Sequence, residues 1–554
     1  MVNRDSNVVR IFLRAWLWCY RSNVLLGLAV FLFALVPRVM TPSGQFLDPD
    51  SAAYWLPRIK EFLNGLRGQG IEHLAPASHP GVPLLWLTAP VEWIHQTYHP
   101  WQKMADPLVS YLGALKFPIA LATSGLATLL WSLLRRVVTR SLAITTAFVF
   151  ATDPLYLVFS RYLHLDALLS GFLITGLVSL WVGLRLSRDR WIFLAGCLLA
   201  LATLTRINGI IGVVFALATI AIVSLKNVHL FWRRSILFLC ACFVTIVVVW
   251  PPVVVVPSHV LATQNRNLAM ALSVHEVPPG VDIIPWIRAL LYPIFLLTRE
   301  FPIFLVLGLY GVTAGWRQRL RTESLLVRLL SIFAVTYWIF LLLGPKKIDR
   351  YILPEVGPLS FFIAFGLQTL WSKLGQWPRS NWVRGIVCFL VAVQLILFWR
   401  LAPYFQTYQN VFADVLRQTP LQASQALDPA WGEGMAEAVA YLKNTSTELP
   451  STASSFAGVL CALGQTHTVE AYPLSATPRL SCPPGLRLLE TPADATYLIL
   501  SRDQIAQRIY PKLLDDIDRL GWQPEKVISI NGVPYISIYR NRGGLDEHYS
   551  LTGR

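Results

Sequence analysis

Long apolar runs recur through roughly the first 400 residues, and they constrain the fold more than any other feature. A helix that crosses a membrane needs about 20 mostly apolar residues. Hydrophobic residues make up 55% of the chain and charged residues only 14%. We therefore predict an α-helical polytopic membrane protein with about eleven transmembrane helices, near residues 23–40, 110–134, 141–159, 166–184, 191–206, 209–225, 235–256, 289–313, 324–343, 354–372 and 385–401.

Basic residues predict the orientation of these spans, because Lys and Arg concentrate in cytoplasmic loops. They precede the first span and then occur in every second loop. The N-terminus is accordingly predicted to be cytoplasmic. The opposite face would hold a large first outer loop, 41–109, and everything after Ala402. The net charge of +16 does not indicate nucleic acid, because the basic residues are spread over short loops rather than gathered on one face.

The last part of the chain, 402–554, has the pattern of a small α/β domain rather than of further spans. Residues 497–500, 526–530 and 535–539 read as strands, and Asn531-Gly532 between the last two is typical of a hairpin turn. Helices are predicted over 435–442 and 503–520, the second interrupted at Pro511. We thus divide the chain into a transmembrane domain, 1–401, and an extracytoplasmic domain, 402–554. Within the latter, Cys461 and Cys482 form either a disulfide or two free thiols.

Two carboxylates in the first outer loop are the leading candidates for chemistry. Asp48 and Asp50 follow the first apolar run, with Tyr54 and Arg58 shortly after them. A carboxylate can act as a general base, which contributes about 10²–10⁴ in rate, or hold a divalent metal through its oxygens. Asp50 also suits the N-cap of the helix that follows, and the two roles are compatible. Later in the loop, His79 precedes a Pro-Gly turn and is either a substrate contact or a structural histidine.

Charged residues at three further positions are predicted on the outer face. Arg161 and Asp166 lie between the third and fourth spans, where they form either a structural pair or a substrate contact. Arg206 ends the fifth span. Three cations precede the tenth span on the predicted outer face, although basic residues prefer cytoplasmic loops. They are Lys346, Lys347 and Arg350, followed by Tyr351. Phosphate or anionic lipid headgroups are therefore their natural partners.

These motifs resemble those of polyprenyl-phosphate-dependent glycosyltransferases of the C superfamily (GT-C). The closer resemblance is to glycosyltransferase family 39, which includes the protein O-mannosyltransferases and relatives of the lipid A aminoarabinose transferase. It covers residues 20–400 and is carried by an acidic motif, a His-Pro element, an Arg…Asp turn and a late basic motif. In this sequence they are Asp50-Ser51 with Tyr54, His79-Pro80, Arg161 with Asp166, and Lys346, Lys347, Arg350, Tyr351 and Pro354.

The resemblance implies transfer of a sugar from a polyprenyl-phosphate carrier to a protein or lipid acceptor, with inversion, outside a bacterial inner membrane. Asp50, or Asp48 by a shift of two residues, would be the base. Donor phosphate would meet Lys346, Lys347, Arg350 and Arg206. Substrate contacts would come from Tyr54, Arg58, His79, Arg161, Asp166 and Tyr351. The family's second acidic residue is Ser51 here, which disfavours a divalent metal without removing it, and no other cofactor is implied.

Other classes of membrane protein stay open at this stage. A transporter or lipid flippase would also place charges near cavities, but the sequence has no convincing internal repeat of the kind found in many transporters. An oligosaccharide ligase of the same superfamily differs in the size of its lipid-linked donor, which the sequence does not specify.

Overall fold

The computed structural model describes most of the membrane domain and the framework of the C-terminal domain. The described residues are 22–40, 48, 50–75, 80–104, 107–273, 285–318, 321–344, 349–374, 380–402, 404–416, 432–445, 452–454, 471–473, 495–502, 505 and 511–545. The predicted cysteine pair lies outside these residues, and so do His79, Lys346 and Lys347.

The first half of the chain forms helices joined by short turns. These are α1 (Asn23–Val39), α2 (Leu56–Leu66), α3 (Val82–Tyr98), α4 (Pro107–Leu134), α5 (Arg140–Thr152), α6 (Pro154–Phe159), α7 (Asp166–Leu186), α8 (Asp189–Thr205), α9 (Ile210–Ser224), α10 (Val228–Val249), α11 (Pro252–Val255) and α12 (Pro257–Ser273). A π-helical turn, Ser51–Trp55, leads into α2.

The membrane domain continues with five helices and a turn. These are α13 (Pro285–Arg299), α14 (Pro302–Arg317), α15 (Thr322–Leu343), a 3-10 turn over Asp349–Glu355, α16 (Val356–Leu374) and α17 (Ser380–Trp399). Within the described residues, six helical segments are long and apolar enough to cross a membrane. Most of the remaining predicted spans are shorter helices, so the predicted helical membrane fold is confirmed.

Three of the predicted spans are broken: 235–256 ends its first helix at Val249, before Pro251 and Pro252, and the other two break at an acidic residue followed closely by proline. The predicted 141–159 helix divides into α5 and α6 at Asp153, whose Oδ1 accepts a hydrogen bond from Tyr156 N at 2.9 Å. The predicted 289–313 helix divides into α13 and α14 just before Pro302. Proline lacks the N–H that would continue a helix, so each break coincides with the start of a new helix.

The basic loops meet at one end of the bundle. Arg136 lies over the Trp191 ring at 4.4 Å, and Arg185 donates to Thr322 Oγ1 at 3.0 Å. Arg233 pairs with Asp189 at the same end. Since α7 begins at Asp166 and ends near this basic end, Asp166 lies at the other end of the bundle.

Glycines allow α14 and α16 to cross with their backbones in contact. A Cβ atom at Gly311 would lie 2.0 Å from Phe362 O, and one at Gly366 would lie 2.1 Å from Leu307 O. Small residues at such crossings are the usual basis of close helix packing in membranes.

We expect Gly311→Ala to lower stability, because the added methyl group must push α14 away from α16. Overpacking of this kind costs about 1–3 kcal/mol. The measurement is the melting temperature of the purified protein in detergent. Gly385→Ala on α17 is the matched control, since a Cβ there has nothing within 4 Å. Equal melting temperatures for the two variants would contradict the close crossing.

The C-terminal domain contains a mixed five-stranded sheet. Two short segments, the 3-10 turn Phe405–Thr407 and α18 (Val411–Leu416), lead from the bundle towards it. The remaining elements are α19 (Met435–Thr445), β1 (Thr452–Ser454), β2 (Ala471–Pro473), β3 (Tyr497–Ser501), α20 (Pro511–Arg519), β4 (Lys526–Ile530) and β5 (Val533–Arg540). The strand order is β2-β1-β3-β5-β4, with β1 parallel to β2 and β3, and β5 antiparallel to β3 and β4.

The predicted hairpin joins β4 to β5, with positive φ angles at Asn531 (51°) and Gly532 (78°). An Asn-Gly pair suits this geometry, because both residues tolerate left-handed backbone conformations.

A buried apolar cluster lies on each face of the sheet, and one of these two clusters continues into the membrane bundle. Residues of α19 pack on one face together with Tyr497 and Ile499, and Leu112 of α4 belongs to the same buried cluster. Leu498 and Leu500 pack on the other face with α20. The C-terminal domain is therefore docked on the end of the bundle that contains the start of α4.

Candidate functional site

Asp50 stands at the start of the π-helical turn, and Asp48 rather than Asp50 caps that turn. Ser51 N donates to Asp48 Oδ1 at 2.8 Å, and Ser51 Oγ donates to Asp48 Oδ2 at 2.5 Å. Asp48 is fully buried. Asp50 makes no side-chain cap and keeps 23% of its side chain exposed. The two predicted base candidates thus have different surroundings.

Arg350 and His164 converge on the Asp50 carboxylate from two other segments. Arg350 Nη2 lies 2.9 Å from Asp50 Oδ2, and His164 Nε2 lies 3.3 Å from the same oxygen. Arg350 belongs to the 3-10 turn before α16, which is tied to α7 by a hydrogen bond from Ser170 Oγ to Leu353 O at 2.8 Å. The turn is therefore held beside the start of α7, where His164 lies.

Asp166 links His164 to a second buried arginine. Its Oδ2 lies 2.9 Å from His164 Nδ1 and 3.6 Å from Arg350 Nε, and its Oδ1 accepts from Arg206 Nη1 at 2.6 Å. Arg206 in turn lies over the Tyr351 ring at 4.0 Å. Five charged side chains from four segments thus form one connected network.

Exposure differs sharply within this network. The side chains of Asp166, Arg206 and His164 are 1%, 4% and 5% exposed, whereas Arg350 and Asp50 are 15% and 23% exposed. A ligand approaching from the surface would therefore meet Asp50 and Arg350 first. The three buried members can orient these two but are shielded by the surrounding helices.

The network determines the charge states around Asp50. Burial raises the pKa of the Asp50 carboxyl, but Arg350 and His164 outweigh that effect and hold this pKa well below its usual range. Burial lowers the pKa of His164, yet the carboxylates of Asp166 and Asp50 raise it above its ordinary value. By contrast, burial raises the pKa of Asp48, opposed by the hydrogen bond from Ser51. Asp50 is the carboxylate kept ionised.

The predicted substrate residues Tyr54 and Arg58 form an aromatic support beside the network. The Arg58 guanidinium lies 5.3 Å from the Tyr54 ring centre and 5.0 Å from that of Trp55. Trp55 also meets the His164 ring edge-on, with 6.1 Å between centroids. Arg58 is buried. The support fixes the π turn against His164.

Arg161 and Asp166 take different partners, so the interpretation as a structural Arg–Asp pair is wrong. Arg161 Nη1 donates to Pro37 O at 2.5 Å, and its guanidinium lies over Phe405. Asp166 forms its salt bridge with Arg206. Arg161 points towards α1 because α1 ends beside the 160–166 turn, and Asp166 points inward because it begins α7.

The segment after His79 reaches the network's edge. Gly81 N donates to Thr205 O at 3.1 Å, immediately before Arg206. Gly81 has φ of 58°, a left-handed conformation that glycine adopts without strain.

His164 is the functional candidate that sequence reasoning passed over. It stands two residues before Asp166 in a short turn between helices. That position was visible in the sequence, but its contact with a carboxylate more than a hundred residues earlier was not. Within the described part of the chain, no group of three or more His, Cys, Asp or Glu side chains is arranged to hold a metal ion.

Comparison with known proteins finds one family model and several solved structures that resemble the chain. Residues 112–255, from α4 to α11, match the family model described as dolichyl-phosphate-mannose-protein mannosyltransferase. No curated protein matches the chain in sequence.

Solved structures resemble most of the chain. ArnT from Cupriavidus metallidurans in the apo state has 14% identity and a TM-score of 0.50, covering 96% of this chain and 99% of ArnT. ArnT bound to undecaprenyl phosphate has the same identity and coverage with a TM-score of 0.47. The apo Archaeoglobus fulgidus oligosaccharyltransferase has 13% identity and a TM-score of 0.47, covering 88% of this chain and 71% of that enzyme.

The similarity to apo ArnT extends through the bundle and the C-terminal region. The chain therefore shares the fold of ArnT, in agreement with the predicted GT-C-like helical membrane fold. The resemblance to sugar-phosphate-dependent transferases, indicated by the sequence motifs, is matched over residues 112–255 by the mannosyltransferase family model.

Proposed function

We propose that the protein transfers a sugar from a polyprenyl-phosphate carrier to an acceptor on the extracytoplasmic side of the membrane, with inversion at the anomeric carbon. The observation that carries this proposal is the contact between Asp50 and Arg350 at 2.9 Å, since these are the most exposed members of a buried charge network. A base for the acceptor and a cation for the leaving phosphate are the two groups that such a transfer needs.

The acceptor's hydroxyl or amine loses its proton to an Asp50 oxygen as its own oxygen or nitrogen attacks the anomeric carbon. The bond from that carbon to the phosphate oxygen breaks, and its electrons stay with polyprenyl phosphate. Arg350 stabilises the charge that develops there, as preorganised cations do in other transferases. Lys346 and Lys347 precede Arg350 in the same segment and are proposed to add to the phosphate site.

Arg206 contributes indirectly to the phosphate site. Its guanidinium is held by Asp166 and covered by Tyr351. It therefore supplies positive potential beneath Arg350 and fixes the Tyr351 ring, rather than forming the outermost contact. Tyr54 and Arg58 follow Asp50 in the same segment and are proposed to shape the substrate site, whereas Arg161 contacts Pro37 and Phe405. The docked C-terminal domain is proposed to bind the acceptor.

Transfer without a nucleotide is the expected activity. We expect the full-length protein in lipid nanodiscs to move radiolabel from polyprenyl-phosphate sugars to an acceptor in a bacterial envelope extract, with no nucleotide sugar added. A panel of hexosyl and pentosyl donors identifies the sugar class. An Asp50→Asn protein serves as the matched blank. No transfer from any donor by the wild type, or transfer only with nucleotide sugars, would overturn the proposal.

A further inference from the structure

If the proposed function holds, Asp50 and the donor phosphate are alternative partners for the Arg350 guanidinium. In this structure its Nη2 lies 2.9 Å from Asp50, and its Nε lies 3.6 Å from Asp166. A guanidinium binds phosphate through paired hydrogen bonds, as it binds a carboxylate, and the polyprenyl phosphate gains a second negative charge as the sugar leaves it. A donor phosphate that enters this site therefore competes with Asp50 for Arg350.

His164 has no comparable freedom. Its Nδ1 is held by Asp166 at 2.9 Å, its ring is packed against Trp55, and only 5% of its side chain is exposed. Asp166 is anchored by Arg206 on its other oxygen at 2.6 Å. His164 can therefore stay beside Asp50 when Arg350 leaves.

We propose that Arg350 exchanges partners during the reaction. It holds Asp50 in the resting site and moves to the donor phosphate on binding, which leaves Asp50 positioned by His164. This inference rests on the proposed function and deepens it. Asp50 becomes available to the acceptor's proton only when the donor is in place, so donor binding and base activation are coupled.

The charge states are consistent with such an exchange. Paired with both cations, Asp50 has a pKa well below its usual range and is a weak base. Loss of one nearby cation raises a carboxyl pKa, and with it the carboxylate's basicity. His164, as a positioning residue, would keep the carboxylate ionised and oriented after Arg350 has left.

A double-mutant cycle on phosphate binding tests the exchange. The probe is undecaprenyl phosphate titrated into the protein in nanodiscs, with the variants Asp50→Asn, Arg350→Gln and both together. We expect Asp50→Asn to tighten binding by about tenfold, because the competitor for Arg350 is gone. Arg350→Gln should weaken binding, and adding Asp50→Asn to it should change nothing further.

The cycle separates competition from simple repulsion between Asp50 and phosphate. Equal tightening by Asp50→Asn with and without Arg350 would overturn the exchange, and so would no tightening in either background. Asp516→Asn, in the Arg519–Asp516 pair of α20 outside the network, is the control and should bind as the wild type does. Absence of saturable binding by the wild type would instead overturn the proposed function, and the exchange with it.

The pH profile tests the positioning residue. In His164→Gln at saturating donor, we expect the acid limb of the transfer rate to move to higher pH by about one unit, because Asp50 loses a neighbouring cation. His259→Gln on the exposed face of α12 should leave the profile unchanged. A uniform loss of rate without displacement of the limb would assign His164 a structural role and overturn this part of the proposal.

Discussion

Asp50→Asn is expected to lower the rate of sugar transfer by about 10²–10⁴, the range that a general base contributes. The amide is nearly the same size as the carboxylate but cannot accept the acceptor's proton. Asp50 makes no cap to the π turn, so the variant should fold normally. The measurement is the transfer rate at saturating donor, together with the melting temperature.

Asp48→Asn is the matched comparison, because it removes the same charge two residues earlier. Asp48 is fully buried and binds Ser51 through both oxygens. We expect this variant to melt earlier, since loss of a cap costs about 0.5–2 kcal/mol, while retaining more transfer activity than Asp50→Asn. The opposite pattern, an inactive Asp48→Asn protein beside an active Asp50→Asn protein, would assign the base to Asp48.

Arg206→Ala is expected to have the largest effect on stability. It leaves the carboxylate of Asp166, only 1% exposed, without its closest cation at 2.6 Å. Removing one member of a buried ion pair costs about 3–5 kcal/mol. We expect a lower melting temperature and weaker donor binding, because the positive potential below Arg350 is lost as well.

Two further variants distinguish charge loss from lost packing. Asp166→Asn combined with Arg206→Met should recover much of the stability, since removing both charges leaves no buried ion unpaired. Arg233→Ala breaks the exposed pair with Asp189 and should cost no more than about 1 kcal/mol. A similar loss in Arg206→Ala and Arg233→Ala would show that burial of the Asp166 pair is not important for stability.

The sequence was sufficient to predict the helical class, the hairpin and several members of the network. Apolar length predicts spans, and Asn-Gly between two strand patterns predicts a turn, because both signals are local. Charged residues at helix ends were also visible. The sequence predicts Asp50, Asp166, Arg206 and Arg350 as site residues, since charge at a helix end beside a membrane needs a partner.

The pairing of those charges could not be predicted from local patterns. Asp166 meets Arg206 rather than Arg161 because the start of α7 packs beside the end of α8, a contact set by the whole bundle. His164 was passed over because a histidine in a turn has no distinctive pattern. The sequence predicts Asp50 as the N-cap, whereas Asp48 caps the turn in the structure. This difference depends on a π-helical turn, which lacks a sequence signature of its own.

A structure of the full-length protein with undecaprenyl phosphate bound in a nanodisc tests the central claim most directly. We predict that the phosphate lies within hydrogen-bonding distance of Arg350, with Asp50 facing the space in front of it and His164 still between Asp50 and Asp166. A phosphate bound elsewhere on the bundle, with the contact between Asp50 and Arg350 intact, would contradict the account.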